Sequence, residues 1–273
     1  MKNKYGICYN NTIENADIIA KNLQKILASA GSDNDIFTMN NLKDGFNFVF
    51  VIGGDGTILK TARFYSKLNV PVFGINLGHL GFLSQASESE LEGAINKILN
   101  NDYEIENRMM LSCGKYTALN DFVIKGAELS RATTFSLEIN NKFVCEYFAD
   151  GLIISTPTGS TAYGMASGGP ILSPDSDVIE IVPICPHTFS ARPIVVPSDS
   201  IIKIESNSAQ KYSISADGQE VFESDKDIEI VKSKFCAKLV LLKEYDFYTI
   251  LRNKLHWGFS PVKITSERDS KND

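Results

Sequence analysis

The run Phe48-Val49-Phe50-Val51-Ile52, followed at once by Gly53-Gly54-Asp55-Gly56-Thr57-Ile58-Leu59-Lys60, constrains this chain more than any other stretch. Its apolar, partly β-branched residues have the length of a buried strand, and Ile58, Ala62 and Tyr65 then recur at helical spacing. The glycines therefore occupy a strand-to-helix turn. Glycine there permits positive φ and close approach of the backbone to a ligand, and the free N–H groups opening the helix favour an anion. A carboxylate beside a bound phosphate is electrostatically unfavourable, so Asp55 points to work on a hydroxyl proton or on a metal. Two common phosphate fingerprints fail on spacing. G-x-G-x-x-G begun at Gly54 meets Leu59 where it needs glycine, and Gly114-Lys115 is followed by Tyr116 instead of the Ser or Thr of a P-loop.

The alternation extends on both sides of this turn. Tyr5 to Tyr9 reads as a strand, and Ile18, Ile19, Leu23, Ile26 and Leu27 mark a helix that stops near Gly31. A loop over 40–45 precedes the strand at 48–52. Val70 to Asn76 supplies a third strand, with Pro71 near its start, where a missing N–H is tolerated. This βαβαβ order implies a parallel sheet covered by helices, with ligands gathering at the carboxyl ends of the strands. The loop from Asn76 through Gly78, His79 and Gly81 to Leu83 leaves the third strand on the same edge as the glycine turn. His79 is within reach of a ligand there, although a single His in an apolar loop is more often structural. Ser87-Glu88-Ser89-Glu90 has the spacing of a capping box ahead of Leu91, Ala94, Ile95, Ile98 and Leu99.

From about residue 110 the period changes to two. Phe135 to Ile139 alternates, Asn140-Asn141 turns, and 142–148 returns. Further strand-like runs lie at 194–197, 201–204, 212–215, 228–231 and 239–242, with Asp217-Gly218 as a turn. Residues 245–257 go back to helical spacing at Phe247, Ile250, Leu251 and Leu255. The expected organisation is α/β plus all-β. An N-terminal Rossmann-like α/β domain covers 1–112, a C-terminal β-sandwich-type domain covers 113–244, and a segment of about 245–273 returns to the first domain, its charged residues 267–273 frayed.

The 273 residues carry a net charge of −6, which argues against a broad basic surface for nucleic acid. Five scattered cysteines without a C-x-x-C pair indicate neither a disulfide framework nor a zinc site. Reduced, mostly buried thiols are expected. No apolar run of about 18 residues occurs and no apolar leader follows Met1, so a soluble, unexported, cytoplasmic protein without a membrane partner is expected.

A second constellation lies inside the β region. The strand-like Leu152-Ile153-Ile154 opens into Ser155-Thr156-Pro157-Thr158-Gly159-Ser160-Thr161 and then a short helix from about Thr161 that carries Tyr163. Ser and Thr offer uncharged hydrogen bonds suited to sugar hydroxyls, amides and phosphate oxygens, and Tyr163 offers a ring to stack on a base. Asn120-Asp121 begins or interrupts a strand, which sends its side chains to opposite sides unless the backbone bulges.

Together these stretches resemble the NAD kinase family. Gly53-Gly54-Asp55-Gly56-Thr57 is similar to its Gly-Gly-Asp-Gly-Thr motif, Asn120-Asp121 to its Asn-Glu/Asp pair, and Asp150 to Gly169 to its long glycine- and hydroxyl-rich motif. The loop Asn76 to Leu83 matches as well. The first motif alone is shared with lipid kinases and phosphofructokinases, and the long motif separates NAD kinases from them. The resemblance implies transfer of the γ-phosphoryl group of ATP, or of a phosphoryl group of polyphosphate, to the 2′-hydroxyl of the adenosine ribose of NAD. Asp55 is then the base, and Gly53, Gly54, Gly56 and Thr57 cradle phosphates. Lys60, where many relatives have Arg, supplies positive charge without a bidentate fork. Asn120 and Asp121 hold the ribose and pyrophosphate end of NAD. Asp150 and Ala162 contact the nicotinamide carboxamide or base. Thr161, Ala162, Tyr163, Gly164, Met165 and Ala166 lie on the adenine side, with Thr158 also at NAD, while Gln219 is near the nucleotide and Arg131 reaches NAD. Phe148 is apolar where some relatives carry a polar ligand residue. The resemblance further implies Mg2+ arriving with ATP, no dedicated metal cluster, and a homodimer or homotetramer joined through the β domain.

Overall fold

The computed structural model describes residues 4–78, 81–127, 132–205, 211–256 and 258. The first half runs β1 (Lys4–Tyr9), α1 (Ala16–Ser29), β2 (Asp33–Thr38), β3 (Phe48–Ile52), α2 (Asp55–Ser66), β4 (Val72–Asn76), β5 (Ser84–Ser87) and α3 (Leu91–Leu99). Its strands pair in parallel in the order β2-β1-β3-β4-β5. Every residue of β3 is buried because both faces of the sheet are covered. Phe48, Phe50 and Ile52 pack with Ile19, Leu23 and Leu27 of α1 and with Leu91 and Ile95 of α3, while Val49 and Val51 pack with Ile58, Ala62 and Tyr65 of α2. The expected βαβαβ strands are the adjacent β1, β3 and β4. An unexpected strand, β2, sits outside them at the edge. Its Asp33-Asn34-Asp35 opening hides it in the sequence, since an edge strand needs little apolar surface. The strand order reverses beside β1, which opens a crevice at the carboxyl ends of β1 and β3.

The capping box forms, with the carboxylate of Glu90 accepting from the backbone N–H of Ser87 at 2.9 Å and from its hydroxyl at 2.7 Å. The second half continues as β6 (Glu104–Cys113), β7 (Tyr116–Ala118), β8 (Asp121–Gly126), β9 (Thr133–Ile139), β10 (Lys142–Ala149), β11 (Gly151–Ser155), the one-turn α4 (Tyr163–Ala166), β12 (Val178–Ile184), β13 (Ile194–Pro197), β14 (Ile202–Glu205), β15 (Tyr212–Ala216), β16 (Glu220–Ser224), β17 (Ile228–Leu241) and α5 (Phe247–Leu255). A six-stranded antiparallel sheet, β13-β12-β11-β8-β15-β16, faces β6, β9, β10, β14 and the first part of β17 across a core containing Phe122, Ile154, Phe135 and Ile230. This is the expected sandwich. Asn140 and Asn141 both have positive φ in the β9–β10 turn, as a tight hairpin requires.

One strand departs from the sequence reading. The runs at 228–231 and 239–242 are two ends of the single 14-residue β17, whose pairing with β6 shifts register between Lys232 and Cys236. The polar Lys232-Ser233-Lys234 centre conceals the continuity. β17 pairs with β14 in the sandwich and with β4 in the parallel sheet, so the two halves share an 11-stranded sheet. The thiols also differ from expectation. Cys8 and Cys113 are buried, but Cys145 and Cys236 are half-buried and Cys185 is exposed; all five are free.

The closing segment returns to the first half. Asp246 caps α5 by accepting from the N–H groups of Tyr248 and Thr249, each at 3.1 Å, and Ile250 and Leu251 are buried. Gln85 accepts from the Leu242 N–H at 3.3 Å, and Lys97 pairs with Glu244. His79, Arg131 and the expected frayed residues 267–273 lie outside the described residues.

Candidate active site

The chain leaves β3 through Gly53 and Gly54 and enters α2 at Asp55. None of Gly53, Gly54 and Gly56 takes the positive φ that the sequence suggested. At Gly53 the need is space, since a Cβ there would lie 2.6 Å from the Thr57 hydroxyl oxygen. The Asp55 carboxylate reaches across to the loop after β4. Its Oδ2 accepts from the Phe82 N–H at 3.0 Å and its Oδ1 from the Leu83 N–H at 3.3 Å. Lys254 of α5 brings its ammonium to 3.9 Å from Oδ2. A carboxylate has about four lone-pair directions, so these contacts orient Asp55 and still leave it able to accept a proton.

Three cavities lie at the glycine turn and the Asn120–Asp121 pair, one of them lined by Asp55 itself. The first, about 680 Å³, lies at the crevice beside β1 and is lined by Asn10, Gly56, Thr57, Lys60, Arg63 and Gln219. Asn10 donates to the Thr57 hydroxyl oxygen at 3.2 Å, Lys60 donates to the Asn40 side chain at 3.1 Å, and Gln219 donates to the Gly56 carbonyl at 2.7 Å. Gln219 thus reaches from the β15–β16 turn to the glycine turn. Arg63 is 6 % exposed; it donates to Gln219 Oε1 at 3.2 Å and pairs with Asp217 at 3.5 Å and Glu220 at 3.3 Å.

The second cavity, about 390 Å³, is lined by Asn120, Asp121, Lys125, Ala162, Tyr163 and Asp217, among others. Asp217 has φ 52° and accepts the N–H groups of Leu119, Asn120 and Asp121 at 3.0, 2.7 and 3.2 Å. That cradle lets Asn120 and Asp121 line one cavity together at the start of β8. Burial raises the Asp217 carboxyl against the lowering pull of these N–H groups and Arg63. Burial, and then the neighbouring Asp217 charge, push Asp121 up to about 7.

The third cavity, about 370 Å³, joins Asp55, Phe82, Asn120, Thr161, Met165 and Lys254, with Thr158 and Ala162 also in its wall. The hydroxyl-rich loop is built mainly to hold itself. Thr156 donates to the Leu119 carbonyl at 2.6 Å, Ser160 to the Pro157 carbonyl at 2.7 Å, and Ser155 to the Thr156 carbonyl at 3.0 Å. Those hydroxyls are buried and committed, contrary to the expectation that they serve a ligand. Thr158 and Thr161 remain at the cavity, and buried Arg108 donates to Thr158 Oγ1 at 3.3 Å. Gly159 is fixed by contact, since a Cβ there would lie 2.3 Å from the Asn120 carbonyl oxygen. Gly164 packs beside Glu180, whose two carboxylate oxygens are buried without a hydrogen-bond partner among the described residues and whose burial pushes it up to about 7.

The structure thus brings Asp55, Asn120, Thr158, Thr161, Ala162 and Met165 to one cavity, Asp121 and Tyr163 to a second that shares Asn120 and Ala162 with it, and Gly56, Thr57, Lys60 and Gln219 to a third at the glycine turn. Asp150 lies elsewhere, between β10 and β11, with its carboxylate 3.8 Å from His187 Nε2. Gly164 is buried and Ala166 exposed, and neither lines these cavities. Arg63, Asp217 and Lys254 were not singled out from the sequence. The Asp217-Gly218 turn was a partial signal, read as a turn alone. Among the described residues, no group of three or more His, Cys, Asp or Glu side chains is placed to hold a metal ion.

Comparison with known proteins bears on the family and the fold. The ATP-NAD kinase N-terminal domain matches residues 6–103, and the ATP-NAD kinase C-terminal domain matches residues 119–242. An NAD kinase of Clostridium botulinum (strain Loch Maree / Type A3) is 42% identical over 221 residues, covering 77% of this chain and 78% of that protein. One from Thermoanaerobacter sp. (strain X514) is also 42% identical over 221 residues, with the same coverage. The crystal structure of an NAD kinase from Archaeoglobus fulgidus in complex with ATP superposes with a TM-score of 0.79 at 28% identity, over 93% of this chain and 98% of that one. Yeast NADH kinase complexed with NADH shares the fold, with a TM-score of 0.79 at 23% identity over 95% and 89% of the two chains. Matched by both family domains over most of its length, the chain belongs to the NAD kinase family.

Proposed function

We propose that this enzyme of the NAD kinase family, which phosphorylates NAD to NADP, acts on the 2′-hydroxyl of the adenosine ribose and takes the γ-phosphoryl group from ATP. The observation that carries this reading is the Asp55 carboxylate, held by two N–H groups where the glycine turn meets the Asn120–Thr161 cavity. In this reading Asp55 accepts the hydroxyl proton as the oxygen attacks the γ-phosphorus, and the bond to the β-phosphate oxygen breaks to release ADP. Gly54, Gly56, Thr57 and Lys60 border the cavity assigned to the donor phosphates. Asn120, Asp121 and Tyr163 border the cavity assigned to NAD. Polyphosphate needs the same anion-binding surface and is the second candidate donor.

The implied Mg2+ fits as an ion carried by the nucleotide. Mg2+ commonly keeps waters and binds through phosphates and one or two carboxylates, and the described residues supply no cage of three. Bound with ATP, it would neutralise phosphate charge. Assembly as a homodimer or homotetramer through the β half, and a cytoplasmic location, complete the proposal. The β10 edge strand, with Phe143 63% and Phe148 46% exposed, is the surface that supports self-association.

The test is NADP formation from purified protein with NAD, ATP and Mg2+, run beside Asp55→Asn. The variant should keep NAD binding within a few-fold while kcat drops by about 10²- to 10⁴-fold, the range for loss of a general base. Unchanged turnover in the variant would end the assigned role of Asp55.

A further inference from the structure

Lys254 belongs to neither matched family domain, since these end at residues 103 and 242. It nevertheless stands at the centre of the site. Its ammonium is 3.9 Å from Asp55 Oδ2 and 4.9 Å from the centroid of the Phe82 ring, and Lys254 and Leu255 form one wall of the cavity that holds Asn120 and Thr161. We propose that Lys254 is a catalytic residue of the phosphoryl transfer, its ammonium contacting the non-bridging oxygens of the group in transit. The proposal rests on the functional reading given above.

The geometry argues for it in three steps. A hydroxyl hydrogen-bonded to Asp55 must have the γ-phosphorus within about 3–3.5 Å to react. An ammonium already beside that carboxylate, on a flexible four-carbon stem, therefore reaches the phosphoryl oxygens without any movement of α5. The transferring group spreads negative charge over those oxygens, and a positioned cation is the kind of group that stabilises it.

The placement of Lys254 is also prepared. It lies in the last turn of α5, where the helix dipole favours a cation, and its charge sits against the face of an aromatic ring. The helix that carries it is anchored at its start by the Asp246 cap and through Tyr245, whose hydroxyl accepts from Arg108 at 3.4 Å. Arg108 in turn donates to Thr158, so one buried guanidinium ties α5 to the glycine-rich loop. The Lys254–Asp55 pair is itself about one-third exposed on each side, so it adds little to stability. Removing the charge should leave the fold intact, which makes the proposal testable.

Lys254→Met and Lys254→Arg are compared with the wild type and with Arg252→Ala, a change on the exposed side of the same helix. Lys254→Met should lower kcat by about 10- to 100-fold, with NAD affinity and Tm close to wild type. Lys254→Arg should recover part of the loss, and Arg252→Ala should match the wild type. A second readout needs no turnover: calorimetric affinity for inorganic tripolyphosphate should fall at least about threefold in Lys254→Met. Wild-type kcat in Lys254→Met with unchanged tripolyphosphate affinity overturns the proposal. So does a loss that follows a lowered Tm and is not relieved by Arg. If the wild type itself forms no NADP, the functional reading fails and the role of Lys254 in that transfer fails with it. NADP formed equally by wild type and Lys254→Met removes Lys254 alone.

Discussion

Gly81 shows how little freedom the acid has. A Cβ at this position would lie 1.8 Å from Asp55 Oδ1, so any side chain there displaces the carboxylate. Gly81→Ala should cut turnover by about tenfold or more while near-ultraviolet circular dichroism and Tm stay close to wild type, because the clash falls on one side chain. Asp121 makes a different prediction. Its folded-state value is raised to about 7, against about 4 for an unfolded Asp, so the folded protein holds a proton that the unfolded chain has lost. The resulting stability is fully present below about pH 4 and is lost as pH rises through about 7, at up to roughly 1.4 kcal/mol per pH unit. Buried Glu180, also raised to about 7, adds a change of the same sign. Asp121→Asn with Glu180→Gln should flatten urea-derived stability between pH 4 and 7; an unaltered slope would contradict this assignment. At this scale the sequence was informative about Asp55, because a carboxylate in a phosphate-type turn is chemically conspicuous. It was silent about Lys254 and Arg63 and showed Asp217 as a turn alone; each gains meaning only from a partner on a distant element.

The short helix α4 carries Tyr163 on a single turn that follows a loop held by Ser155, Thr156 and Ser160. The ring is 39% exposed and borders the cavity beside Asn120 and Asp121. Tyr163→Ala should weaken NAD binding by roughly 1–3 kcal/mol, the usual worth of stacking on a base, and leave Tm nearly unchanged. An unaltered dissociation constant by calorimetry would remove the stacking role. The loop was visible in the sequence by its density of Ser, Thr and Gly, but composition does not say which hydroxyls face inward. That depends on Leu119 and Asn120, whose carbonyls lie against the loop only after folding. β2 was missed and β17 was split in two for related reasons. An edge strand can be polar, and a long strand crossing two cores can carry polar residues where it passes between them.

Across the whole molecule, the alternating first half and the period-two second half were plain from residue spacing, and their fusion was not. β17 places Ile228 and Ile230 in the sandwich core and Ala237, Leu239 and Val240 in the cores of the parallel sheet. Unfolding should therefore be a single transition, with far- and near-ultraviolet circular dichroism coinciding. Leu239→Ala, which removes a side chain 2% exposed, should cost about 2–5 kcal/mol and shift both signals together. Two separated transitions would show that the halves are independent. The shared strand also bears on synthesis. As the chain leaves the ribosome, β4 finds β3 and β5 at once, but Val72 at its start must wait for Leu239 of β17, a neighbour made after the whole interval from β5 to β16. The five parallel strands can pair among themselves on the nascent chain, but their join to the sandwich cannot form early. The unpaired start of β4 has to be tolerated or shielded until residues 228–241 emerge, and a ribosome stalled before that point would hold a half-built nucleotide site with that short edge open.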